Sequence, residues 1–116
     1  MVSKNSFSGC FLGLALGDAL CAPYEGGILE RGLWRLIGKT RSGKKRYTDD
    51  TQMSLDIAES FCENQCINQD HLAGIFASNY RWSRGYGAGA AKILKNIKKG
   101  ARWQDTNRLI YPEGSY

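Results

Sequence analysis

Two aspartates stand side by side between threonines in RYTDDTQMSL, residues 46–55. Adjacent carboxylates repel one another, so Asp49 and Asp50 call for a nearby positive charge. A helix that begins after Thr48 supplies one. Its N-terminal dipoles and free N–H groups stabilise each carboxylate by about 0.3–1 kcal/mol. A hard divalent cation is the other candidate. Mg²⁺ and Mn²⁺ take carboxylate, hydroxyl and water oxygens, and Thr48, Asp49 and Asp50 offer such oxygens from one backbone corner. The stretch by itself leaves both readings open.

Three further places bear on chemistry. Asp18 lies one turn beyond Leu14 in GCFLGLALGDALCAPYEG, residues 9–26, on the side expected to face the core. A carboxylate there needs partners: either the N–H groups of the following loop or a place behind a metal. Glu25 follows Ala-Pro-Tyr in a glycine-flanked loop, a setting that suits general acid–base work as well as plain solvation. RGYGAGA, residues 84–90, resembles a phosphate cradle, but its spacing fits neither a P-loop nor a dinucleotide fingerprint. A tight turn between helices is the expected structure.

Cysteine and histidine usage excludes other chemistry. Cys10, Cys21, Cys62 and Cys66 contain no CxxC, and the single histidine, His71, lies five residues past Cys66, so zinc is not expected. Cys10 and Cys62 fall on apolar faces of expected helices, where free cysteine behaves as a small hydrophobe, and this predicts a reducing, cytoplasmic setting. Asp18 interrupts the one apolar run near the N-terminus before any cleavage site, which argues against a signal peptide. No stretch is expected to reach the length of a membrane span. The net charge is +5, and seven basic residues with no acid run from Arg31 to Arg46. Such a run suits a solvated loop or an anionic ligand; no nucleic-acid motif accompanies it.

The elements that must position these residues read as helices. The 116 residues fit a single domain, 1–116. Phe7, Phe11 and Leu14 predict a helix over 5–20, with Gly9, Gly13 and Gly17 in one row for close backbone packing and Pro23 ending it. Residues 24–46 read as loop, with LWRLI at 33–37 as one turn or an anchor. Thr48 caps a helix over 48–63 whose stripe is Met53, Ile57 and Phe61. Asp70 caps the next, with Leu72, Ile75, Phe76 and Tyr80 inward. A fourth runs over 88–99 on Ile93, Leu94 and Ile97, stopped by Gly100. Residues 102–116 show no core of their own. With no strand alternation, the class is all-α.

Four segments come in a characteristic order: GCFLGLALGDALCAPYEG (9–26), RYTDDTQMSL (46–55), RGYGAGAAKIL (84–94) and PEGSY (112–116). Together they resemble the N-terminal part of the ADP-ribosylglycohydrolase family. The resemblance implies an orthogonally packed all-α fold, with two Mg²⁺ or Mn²⁺ ions in a cleft. It also implies hydrolysis of the glycosidic bond between ADP-ribose and a protein side chain or small acceptor. By the same resemblance Thr48, Asp49 and Asp50 match the first metal-ligand motif, Glu25 a loop glutamate implicated in catalysis, and Asp49 a catalytic as well as ligating position. Gly114, Ser115 and Tyr116 match the start of a loop that holds ribose and phosphates. The family's second metal cluster, an aspartate pair followed by threonine, has no counterpart here. This implies a fragment, or an enzyme completed by a second chain that supplies those ligands. A non-catalytic module binding ADP-ribose or another anion through residues 31–46 is the alternative.

Overall fold

The structure, a computed structural model, describes residues 3–114. It is all-α, as expected: α1 (Lys4–Cys21), α2 (Ile28–Ile37), α3 (Asp49–Asn64), α4 (Gln69–Asn79), α5 (Ala88–Lys98) and α6 (Trp103–Ile110), with 3₁₀ turns at Ala22–Tyr24 and Trp82–Arg84. The chain forms two compact units, one of residues up to Leu55 with Ser83–Gly85, the other of Asp56–Trp82 with the residues from Tyr86 onward.

In the first unit Ser3 opens α1 by accepting the Ser6 N–H at 3.1 Å. The rings of Phe7 and Phe11 stack along it with centroids 4.9 Å apart. The glycine row meets nothing: a Cβ at Gly9, Gly13 or Gly17 would enter open space. Phe7, Leu12, Leu16 and Leu20 are likewise exposed. Pro23 ends α1 by another route than expected. Ala22 keeps right-handed helical angles (φ −45°, ψ −39°), and the chain tightens into the 3₁₀ turn, which needs no extended residue before the proline. The run Lys4–Tyr24, 21 residues, is by length and composition apolar enough to cross a bilayer, contrary to the sequence expectation. One aspartate does not offset so many apolar neighbours, and length with hydropathy does not separate a span from a helix that packs in protein.

Residues 28–37 are a helix and not a loop. The Gly27 N–H donates to the Glu30 carboxylate three residues on, which closes the first turn. Trp34 anchors the helix with only 7% of its surface exposed. Gly32 inside this helix and Gly26–Gly27 before it disguised the period. The basic run therefore divides, part on α2 and part on a tight turn held by Thr40 N–H to Lys44 O (2.8 Å) and Arg46 N–H to Gly38 O (2.9 Å).

The face assigned to α3 is reversed. Ile57 and Phe61 are exposed, whereas Thr51, Asp56 and Ser60 are buried. Hydrogen bonding makes this possible: the Asn79 Nδ2–H donates to Asp56 Oδ1 at 2.8 Å, and Ser60 Oγ lies 2.9 Å from His71 Nδ1. Buried polar groups with partners cost little.

The second unit holds the later helices. Asn68, not Asp70, caps α4 by accepting the His71 N–H at 3.1 Å. Asp70, in the first turn, instead accepts the Trp103 Nε1–H at 2.7 Å. Of α4, Ala77 is the fully buried apolar residue; of α5 it is Leu94. Residues 103–110, read as a tail without a core, form α6. Arg102 grips Asp105 through Nε (2.8 Å) and Nη2 (3.0 Å), and the buried Thr106 hydroxyl accepts from Asn96 Nδ2 at 2.9 Å. A polar docking face carries no apolar period, so pattern reading missed it.

Gly89 at the start of α5 is required by close approach: a Cβ there would fall 1.7 Å from the Tyr111 hydroxyl. Gly89→Ala is expected to destabilise the protein by about 1–3 kcal/mol, the cost of overpacking a fitted contact, measured as a lower midpoint in urea unfolding.

Candidate functional site

The start of α3 is built by residues from three separate segments of the first unit. Thr48 is buried and serves as N-cap: its carbonyl accepts the Gln52 N–H at 3.3 Å, and its hydroxyl accepts the Asp50 N–H at 3.4 Å. Asp18 reaches this corner from α1. It accepts the Thr48 N–H at 3.1 Å on Oδ1 and 2.8 Å on Oδ2. Its Oδ2 also accepts the Thr51 N–H at 3.2 Å and the Thr51 hydroxyl at 2.5 Å. Of the two roles open to Asp18 in the sequence, binding the N–H groups of a later segment is thus the observed one. The donors belong to the helix thirty residues on, not to the loop that follows directly.

The third segment is Ser83–Gly85. The Arg84 Nη1–H donates to Tyr47 O at 2.8 Å, while its guanidinium lies 3.7 Å from the centre of the Tyr47 ring. Arg46 ties the same strand of chain to Ile37 O and Ser83 Oγ, each at 3.2 Å. Gly85, at φ +86°, turns where a side chain would be strained, and its Cβ position lies 4.0 Å from Asp49 Oδ1. The RGYGAGA motif is therefore a turn, as expected, that both buttresses the TDD corner and, through Gly87, opens α5.

Asp49 is half-buried and Asp50 exposed. Burial pushes the Asp49 carboxyl above the usual carboxylate range, and the charges of Asp50 and Asp18 push the same way, against its own backbone N–H and the Thr48 hydroxyl. A carboxyl whose pKa is raised by folding holds its proton more tightly in the folded chain. Its contribution to stability is complete below the ordinary value of 3.8 and is lost as pH rises through the folded value. Metal-free Asp49→Asn should therefore melt above the wild type at pH 7, and this advantage should vanish near pH 3. Thermal melts at the two pH values measure it.

These groups fit part of a hard cation's shell. Two carboxylates and a hydroxyl supply oxygens, and three mutually repelling acids make a region where a divalent charge is welcome. Among the described residues no three His, Cys, Asp or Glu side chains converge as a complete metal cluster. Glu25 stands on the exposed loop after Tyr24, extended at φ −87° and ψ 157°, outside the hydrogen-bonded set around Asp18. Gly114, in the second unit, makes a left-handed turn at φ +92°, its N–H donating to Tyr111 O at 3.1 Å. Ser115 and Tyr116 lie outside the described residues. Sequence reading missed Tyr47, Thr51, Arg84 and Gly85 as parts of this corner. The second threonine of TDDT was the one available signal, since a hydroxyl at the third helical position is well placed to meet a capping acid.

Comparison with known proteins places the sequence in a family. A family profile described as ADP-ribosylglycohydrolase matches residues 2–115. ADP-ribosylhydrolase ARH3 of Danio rerio is 33% identical over 102 residues, covering 80% of this chain and 28% of the relative. The human ARH3 is 28% identical over 109 residues, covering 82% and 30%. An uncharacterized protein of Archaeoglobus fulgidus is 31% identical over 114 residues, covering 86% and 36%. The chain thus spans about a third of the length of the curated relatives it matches. No solved structure matches it. The TDD corner, the all-α architecture and a profile match along nearly the whole chain lead to one assignment: the chain belongs to the ADP-ribosylglycohydrolase family.

Proposed function

We propose that this chain contributes the TDD corner of a divalent-metal centre that hydrolyses the glycosidic bond of ADP-ribose conjugates. The observation that carries the reading is the placement of Thr48, Asp49 and Asp50 at one helix start braced by Asp18, where burial, and then the charges of Asp50 and Asp18, raise the Asp49 carboxyl. Thr48, Asp49 and Asp50 would hold Mg²⁺ or Mn²⁺, and such an ion supplies charge for binding the ribose diol and for making a bound water acidic. Asp49 would take or orient the water's proton, for which a raised carboxyl is suited. Glu25, which the family resemblance places in catalysis, would have the same capacity from its loop. By the family resemblance Gly114, Ser115 and Tyr116 would bind ribose and phosphate. The remaining ligands would come from a second cluster beyond these 116 residues, on a longer form of the protein or on a partner chain. The unpaired cysteines, all exposed, support a reducing, cytoplasmic setting.

The test is release of ADP-ribose from peptides ADP-ribosylated on serine or arginine, with Mg²⁺ and after chelation. Mg²⁺-dependent release, by the chain or by the chain with a partner bearing the second cluster, is expected. Release that survives chelation would overturn the metal reading.

A second reading draws on one observation. Lys39, Arg41, Lys44 and Lys45 are all exposed around one tight turn, a surface that suits an anion. A non-catalytic module would bind ADP-ribose there with strong salt dependence and no response to chelators.

A further inference from the structure

Asp18 is in a position to do more than stabilise a helix. We infer that Asp18, braced by Thr51, is the positioning residue that sets how Thr48, Asp49 and Asp50 present their oxygens to a divalent cation. The inference rests on the metal reading proposed above.

Three observations carry it. First, the carboxylate of Asp18 is saturated. Its oxygens accept the Thr48 N–H, the Thr51 N–H and the Thr51 hydroxyl, all between 2.5 and 3.2 Å. It is thereby committed to the turn and grips both ends of TDDT at once. Second, an N-cap side chain ordinarily satisfies the N–H groups of the second and third helical residues. Here the Thr51 N–H goes to Asp18, while the Thr48 hydroxyl accepts the Asp50 N–H at 3.4 Å and bears on the Asp49 carboxyl. An acid brought from α1 thus shares the capping duty with Thr48. Third, the two threonines, both buried, differ in partner. The Thr51 hydroxyl is used by Asp18, whereas the Thr48 hydroxyl lies beside Asp49 and Asp50. The charge of Asp18 adds to this: it is one of the acids that bear on Asp49, so it draws a cation in while its hydrogen bonds fix the ligands.

Asparagine at position 18 keeps one acceptor, loses the charge and turns an N–H₂ toward donors that need an acceptor. Residues behind a metal ligand typically change affinity about 10–100-fold, and Asp18→Asn should weaken Mn²⁺ binding by that factor. Mn²⁺ titration of the full chain followed by electron paramagnetic resonance measures it. Amide hydrogen exchange should quicken at Thr48 and Thr51 and stay as in wild type along α5 and α6. Thr51→Val should weaken Mn²⁺ binding in the same direction, and Thr51→Ser, which keeps the hydroxyl, should restore it.

The outcomes separate cleanly. If Asp18→Asn exchanges faster at Thr48 and Thr51 yet binds Mn²⁺ like wild type, Asp18 is only a helix cap and the inference is overturned. If Asp18→Asn does not fold, the Thr51 pair decides: valine weaker than serine supports the inference, valine equal to serine overturns it. A wild-type chain that takes up no Mn²⁺ defeats the metal reading and this inference with it.

Discussion

Asp49→Ala combined with Asp50→Ala is expected to take Mn²⁺ or Mg²⁺ binding below detection while leaving helix content nearly unchanged. Two of the three candidate oxygen donors disappear, and the Thr48 hydroxyl by itself is a weak, neutral ligand. The helix survives because its start does not depend on these two side chains. Thr48 caps it, and Asp18 holds the Thr48 and Thr51 amides from α1. Losing each carboxylate at the dipole costs about 0.3–1 kcal/mol, offset by relief of the repulsion among Asp18, Asp49 and Asp50. Far-UV circular dichroism and Mn²⁺ titration on the same sample check both halves. Metal binding that persists would show the assignment to be wrong. Unfolding with no change in metal binding would show that the two acids serve the helix start.

Trp34→Ala is expected to unfold the first unit. Trp34 is 7% exposed, and Ala22 is the other fully buried apolar residue there among the described ones. Removing a buried indole costs about 3–5 kcal/mol, against a total stability of about 5–15 kcal/mol for a typical domain. The consequence reaches the site, because a Cβ at Gly85 would lie 3.8 Å from the Trp34 ring and 4.0 Å from Asp49 Oδ1. Loss of the indole therefore removes support from the turn beside Asp49. Hydrogen exchange at Thr48 should rise to the rate of an unprotected amide, and Mn²⁺ binding should fall with it. Trp34→Phe, which keeps a ring at the contact, should retain most of both. An alanine variant with wild-type protection at Thr48 would show that α2 does not support the site.

Family and helical class were legible in the residues. Four ordered motifs carried the family, and the spacing of Ile93, Leu94 and Ile97 carried α5, whose Leu94 is buried. The chain also announced the TDD corner, because adjacent acids at a helix start are costly enough to require a reason. What the sequence could not disclose is mostly polar. Helix α6 is held by Arg102, Asp105, Thr106 and Trp103 through hydrogen bonds, and α3 buries Thr51, Asp56 and Ser60 while exposing Ile57 and Phe61. Periodicity counts apolar residues, and a face satisfied by hydrogen bonds has none to count.

The sequence by itself determined the residue types available at the site: two carboxylates, threonine hydroxyls and a nearby acid, with donors fit for a hard cation. Only the tertiary structure decided which acid does which work. Asp18 lies thirty residues from Thr48 along the chain and within hydrogen-bond distance of it in space. Arg84 and Gly85 arrive from farther still to hold Tyr47 and flank Asp49. Spacing reports neighbours along one helix, whereas a carboxylate's role follows from the donors that folding brings to it, and those come from other segments.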